Sequence, residues 1–271
     1  MNRFLYLALC FLLCLQMVGQ AYKGDFAAAL KANDMAKAEE VLKVWNKADV
    51  NDPELYVAYF NFYTVKSQEP NPKTLDKENS KKALAYITEG IERFPTRFDM
   101  RIAKIYMLDQ LKDYQPFTTE ILSLLDYSKK IQNNWKGENF SLIFNPDEML
   151  SGAVLDFLER LFAKGDTNLY PNMIQIAERM IQYYPRHIKT RLLLSSVYMH
   201  QKKIDIALET LLKANDVNPE IPVVHYNLAY IYDIKGDKEN TRKHYKLTID
   251  NAKEDDAELK ALAQKQLDAL K

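Results

Sequence analysis

The chain has 271 residues, and its 37 lysines and arginines are matched by 37 aspartates and glutamates. That balance excludes a binder drawn by net charge to nucleic acid or anionic lipid, and 47% hydrophobic residues exclude a disordered chain. With only 7 Gly against 17 Tyr and 12 Phe, the composition favours helices joined by short polar turns over β-structure.

The N-terminus reads as an export signal. Met1-Asn2-Arg3 is a short positive start, Phe4 to Val18 is apolar except for Gln16, and Gly19-Gln20-Ala21 supplies the small residues that signal peptidase needs. Cleavage is expected after Ala21, leaving no membrane span and a periplasmic or secreted protein. Both cysteines, Cys10 and Cys14, lie inside the apolar run, so the mature chain has no disulfide or thiol chemistry.

Beyond the signal, Asp25 is expected to cap a short helix through Lys31. Met35 to Lys47 follows with Ala38, Val41, Leu42 and Trp45 on one face. Glu54 to Lys66 places Tyr56, Tyr59, Phe60 and Tyr63 together and Phe62 off that face, an aromatic density expected to pack between helices. Ser67 to Ser80, with Pro70 and Pro72, reads as an enlarged turn before a helix from Lys81 to Phe94. Pro116 is expected to start a helix through about Asn134. Trp135 to Pro146 then breaks helical character, and its cluster Phe140 to Phe144 is expected to tuck against the helices. Helices resume at Glu148 to Ala163 and Tyr170 to Tyr184, turned by Gly165-Asp166. A last helix from Asp255 or Asp256 to Lys271 carries Leu259, Leu262, Leu267 and Leu270, for about thirteen helices in all.

The most informative stretch is Pro185 to Lys253, where one unit is written twice at an offset of 34 residues: Leu194 with Leu228, Ser195 with Ala229, Tyr198 with Tyr232, Ala207 with Thr241, Leu211 with Tyr245, Ala214 with Thr248. Such a unit of two short helices buries its apolar face only against its neighbours. Ala83 and Gly90 precede Pro95 at the offsets at which Ala207 and Ala214 precede Pro219, and Pro95 to Arg101 echoes Pro185 to Arg191.

These residues resemble tetratricopeptide repeats. The family's pattern is matched by Leu194, Ser195, Tyr198, Ala207, Leu211, Ala214 and Pro219, departing at Arg191 where tryptophan is usual, and by His225, Leu228, Ala229, Tyr232, Thr241, Tyr245 and Thr248, with Lys253 in place of proline. The chain as a whole is similar to exported tetratricopeptide proteins of the Bacteroidetes type. The resemblance implies an all-α, right-handed solenoid of about six helix pairs with a C-terminal capping helix, divided into degenerate repeats over 22–147 and better repeats over 148–271. It also implies a concave groove lined by Leu192, Ser196 and Met199 in one copy and Tyr226, Asn227, Tyr230 and Asp233 in the next. Lysine and asparagine would be needed at 192 and 196 to clamp a terminal carboxylate, so an aromatic and polar groove for an extended peptide or a partner helix is expected instead.

No catalytic group, cofactor or metal is expected. His187, His200, His225 and His244 show neither HExxH nor i, i+4 spacing and are expected at the surface or in the groove. Phosphate-binding glycine loops and Gly-x-Ser-x-Gly elbows are absent. Asn139-Phe-Ser141 matches a glycosylation acceptor. The expected function is a non-enzymatic scaffold for a protein or peptide; a structural subunit of an envelope or secretion assembly is the alternative, and carbohydrate binding through the tyrosines a weaker one.

Overall fold

The structure is a computed structural model that describes residues 20–68 and 75–270. The apolar run of the export signal, the centre of the expected polar turn and Lys271 lie outside the described residues.

The fold is all-α. Thirteen α-helices are present among the described residues: α1 (20–31), α2 (Met35–Ala48), α3 (Pro53–Ser67), α4 (Lys77–Arg93), α5 (Phe98–Gln110), α6 (Tyr114–Lys130), α7 (Pro146–Ala163), α8 (Tyr170–Tyr183), α9 (Ile188–His200), α10 (Ile204–Val217), α11 (Pro222–Ile234), α12 (Lys238–Asn251) and α13 (Ala257–Ala269). They form six consecutive hairpin pairs and a last helix. The chain divides into two compact units, one taking the residues up to 146 except 121–125, the other taking 121–125 with 147–271.

A single turn recurs inside the pairs. Asn33, Lys112, Lys202 and Gly236 all have left-handed backbone, at φ 56°, 56°, 60° and 75°. In each case the next residue's N–H returns to a first-helix carbonyl: Asp34 to Ala29 (2.9 Å), Asp113 to Leu108 (3.0 Å), Lys203 to Tyr198 (2.9 Å) and Asp237 to Tyr232 (2.9 Å). This is the six-to-one bond that closes a helix C-terminus when one residue turns left-handed. Only Gly236 adopts it without the steric cost of a Cβ.

In the first unit, Trp45 is fully buried among Phe26, Leu42, Leu55 and Phe62, and donates Nε1–H to Asp52, the residue that caps α3 (3.1 Å). Both faces of α3 are covered. Phe62, expected off the packed face, is fully buried, while Tyr59 and Tyr63 are half-buried and both stack with Tyr86, at 4.2 and 5.6 Å between ring centroids. Gly90 explains how closely α4 approaches α3: a Cβ there would lie 2.8 Å from the Tyr56 Cβ. In the second unit the echoed residues are the packing residues. Leu194, Ala207, Leu211, Ala214, Leu228, Ala229, Thr241, Tyr245 and Thr248 are all buried. Ser195 also donates from Oγ to the Ala207 carbonyl (3.1 Å), joining α9 to α10.

Several expected boundaries move. Asp25 lies inside α1, which already runs at residue 20. The fourth helix starts at Lys77 because Asp76 accepts from Asn79 N–H (2.8 Å). Likewise α6 starts two residues before Pro116 and ends at Lys130, where left-handed Gln132 and Asn133 stop it. On α13, Ala263 is the buried residue, Leu267 and Leu270 pack beside it, and Leu262 stands exposed.

Candidate interaction face on α11

Helix α11 opens on Pro222, whose fixed φ suits a first helical position and whose missing N–H costs nothing there. One side of the helix, with Val224, His225, Leu228 and Ala229, enters the core. The other presents apolar side chains to solvent: Val223 is 37%, Tyr230 52% and Ile234 48% exposed.

Tyr226, Tyr230 and Asp233 follow one another at i, i+4 and i+7 and are brought together around Tyr245 of α12. The Tyr226 ring meets that of Tyr245 edge-on at 5.7 Å. Burial, and then the negative charge that Tyr226, Asp233 and Tyr230 can carry, pushes the Tyr245 hydroxyl up to about 12. Tyr245 therefore keeps its proton, and the cluster offers hydroxyl groups beside the exposed carboxylate of Asp233. Asn227 is half-buried on the same helix. Leu192, Ser196 and Met199 are half-buried on α9, a separate set. Ser196 is partly committed, donating from Oγ to the Leu192 carbonyl (3.1 Å), and its own carbonyl accepts from His200 (2.9 Å).

Two of the four histidines are not where the sequence put them. His225 and His244 are buried, at 2% and 6% exposure, with their Nδ1 atoms 3.1 Å apart. His225 Nε2 donates to the Pro219 carbonyl (2.7 Å), so its Nδ1 is the acceptor and His244 Nδ1–H the donor in the neutral pair. His244 also stacks on Tyr232 at 5.4 Å. Desolvation, then the charges of His225 and Lys243, lowers the His244 imidazole to about 4. The signal in sequence was only that both positions belong to one repeat on facing helices. Of the other two, His187 caps α9, facing Thr190 Oγ1 at 2.7 Å, and His200 is exposed.

The segment Phe140 to Phe144 is tucked only in part: the Phe140 ring meets Phe94 at 6.1 Å and lies under Arg97 at 5.9 Å. Leu142 is 69% and Phe144 91% exposed, beyond left-handed backbone at Asn139 and Phe140. Its base is held firmly. Lys136 exchanges backbone bonds with Thr96 (2.9 Å) and Phe98 (3.0 Å), and Gly137 N–H donates to Ser141 (2.9 Å). Beneath it, fully buried Arg97 makes two bonds to Asp99 (2.8 and 2.7 Å) and an ion pair with Glu54 (2.7 Å). Lys23 pairs with both Glu54 and Glu138, tying α1 and α3 to the loop.

Among the described residues no group of three or more His, Cys, Asp or Glu is placed to hold a metal ion, and no helix is long and apolar enough to cross a membrane. No family model matches the chain, and no curated protein matches it. Solved structures similar to it include TTC0263, a tetratricopeptide protein of Thermus thermophilus, with 15% identity over 71% of this chain and 91% of that one, at a TM-score of 0.37. YrrB, described as a tetratricopeptide protein with an unusual peptide-binding site, shows 13% identity over 90% of both chains at 0.32. The yeast Sti1 TPR2AB domain in complex with pHSP90 shows 12% over 94% and 97% at 0.38. Scores at this level carry no argument; the tetratricopeptide character of the fold rests on the echoed core and the recurring turn.

Proposed function

We propose that this protein is an exported, non-enzymatic scaffold that binds a protein or peptide segment along a groove lined by Leu192, Ser196, Met199, Tyr226, Asn227, Tyr230 and Asp233. The observation that carries the reading is the exposed face of α11. There Val223, Tyr230 and Ile234 leave 37%, 52% and 48% of their surface open to solvent, next to tyrosine hydroxyls and a carboxylate. Amphipathic aromatic groups of this kind gain most from a partner that covers their apolar body and satisfies their polar end. Export is supported by Met1 to Ala21 as read above. Affinity capture from envelope extract with the wild type and with the double variant Tyr226→Ala, Tyr230→Ala tests the face. Partners retained equally by both, with the variant's helical content intact, would show that the face is wrongly assigned.

A second reading, a structural subunit of an envelope assembly, is favoured by one observation: Leu142 and Phe144 are held out on a braced loop. Leu142→Ser with Phe144→Ser should then abolish co-purification of the assembly, and unchanged co-purification would remove this reading.

A further inference from the structure

One first-helix site carries a basic side chain in three of the helix pairs: Arg101 on α5, Arg191 on α9 and His225 on α11. All three are buried. Two have partners. Arg101 donates to the Pro95 carbonyl (3.5 Å), has Glu120 at 3.5 Å and lies over the Tyr127 ring at 4.7 Å. His225 donates to the Pro219 carbonyl (2.7 Å) and meets His244. Glu120 and His244 each stand 19 residues after the basic residue they meet. The same step from Arg191 reaches Thr210, whose hydroxyl is given to the Ile206 carbonyl of its own helix (2.7 Å).

Arg191 is consequently different. It is 8% exposed, its Nη1 is enclosed with no hydrogen-bond partner, and among the described residues no carboxylate pairs with it. A guanidinium does not shed its proton to escape burial, so a charge partly withdrawn from water, with Nη1 enclosed, stands without a counter-charge. Its surroundings repeat the sign. Side chains on a helix lean toward the N-terminus, which lays Arg191 back over the first turn of α9. Arg186, His187 and Lys189 cluster there, no acid occupies the first turn, and the helix end adds its own positive potential. After desolvation, the charges of Lys189 and Arg191 are what hold the His187 imidazole below its usual value.

We propose that the N-terminus of α9 is a binding site for an oxyanion, a carboxylate or phosphate group, for which Arg191 is the counter-ion and Lys189 and the first-turn N–H groups are further donors. The site is independent of the α11 face, and either can fail alone.

The test is an NMR titration of the histidine rings of the full chain at pH 7 and fixed ionic strength. Inorganic phosphate is the probe in one arm and N-acetyl-aspartate in the other, with His187→Gln to assign the resonance. The expected result is a saturable shift of His187 with one or both probes, weakened about tenfold or more in Arg191→Gln, as loss of a charged hydrogen bond requires. A tighter midpoint for one probe identifies the source. A melting temperature that rises with the probe at constant ionic strength gives a readout in the wild type alone. No saturable shift and no rise with either probe would overturn the site, as would equal saturation in folded Arg191→Gln, which would mean an adventitious ion only.

Discussion

Acid should unlock the second unit through one imidazole. In the folded state His244 is lowered to about 4, while in the unfolded chain it titrates near its ordinary 6.5. Between those values the unfolded chain accepts a proton that the folded chain refuses. Stability contributed by this group is therefore complete above about pH 6.5 and lost as the pH falls toward 4. The full shift corresponds to about 3 kcal/mol, and about 2 kcal/mol is expected once residual solvent access is allowed for. The geometry gives the cause: a doubly protonated pair would place two cations with their Nδ1–H groups facing each other at 3.1 Å, inside the core and without an acceptor between them. Trp45 and Trp135, the two tryptophans, both belong to the first unit, so fluorescence does not see this event. Hydrogen exchange of α11 and α12 amides between about pH 4 and 7.5 does. His244→Phe should lose about 1 kcal/mol at pH 7, because His225 Nδ1 loses its donor, and should show a pH dependence shallower than wild type by about 2 kcal/mol. His187 is lowered too and stays in both proteins, so the difference isolates His244. Parallel pH profiles for the two proteins would refute the reasoning.

Gly90→Ala is expected to cost about 1–3 kcal/mol by forcing α4 away from Tyr56, read as a lower urea midpoint by tryptophan fluorescence. Ser128→Ala removes the acceptor of the buried Trp135 Nε1–H (2.8 Å) and should cost about 1–3 kcal/mol, with a shift in tryptophan emission. Lys202→Gly should instead stabilise, by about 0.5–1 kcal/mol, since the turn at φ 60° is one that glycine adopts without strain; a lowered melting temperature would count against the recurring-turn account.

Much of the helical framework was legible because packing forces the same residues to recur. Ala207, Ala214 and Gly90 are small residues buried where the two helices of a pair meet, and threonine is the largest residue at the echoed positions 241 and 248. The i, i+4, i+7 spacing likewise placed Tyr226, Tyr230 and Asp233 on one face. What escaped was any relation that depends on two helices facing each other. Tyr245 read as an ordinary core aromatic, and its hydroxyl joins the α11 cluster only once α12 folds back. His225 and His244 read as solvent-facing because their mutual bond appears only in the hairpin. The apolar run Phe140 to Phe144 argued for burial, yet only Phe140 meets another ring, that of Phe94, while Arg97, Glu54 and Lys23 fix the loop's base and Leu142 and Phe144 stay exposed. Hydrophobicity reports a tendency, and a backbone already pinned by ion pairs can override it.

The bonds from Arg101 to Pro95 and from His225 to Pro219 make the start of a helix adjustable. A proline interrupts the main-chain ladder and has no N–H of its own to restore it. Each of these junctions is instead braced by one side chain that spans six residues and touches a carbonyl. Such a brace acts as a set-screw: a donor of different length at 101 or 225 would change the angle at which the next helix leaves its proline, while the apolar interior of the pair keeps its composition. Repeats that drift in sequence can be retuned at that one residue, which is how a chain can hold arginine at one junction and histidine at another and still lay down the same hairpin.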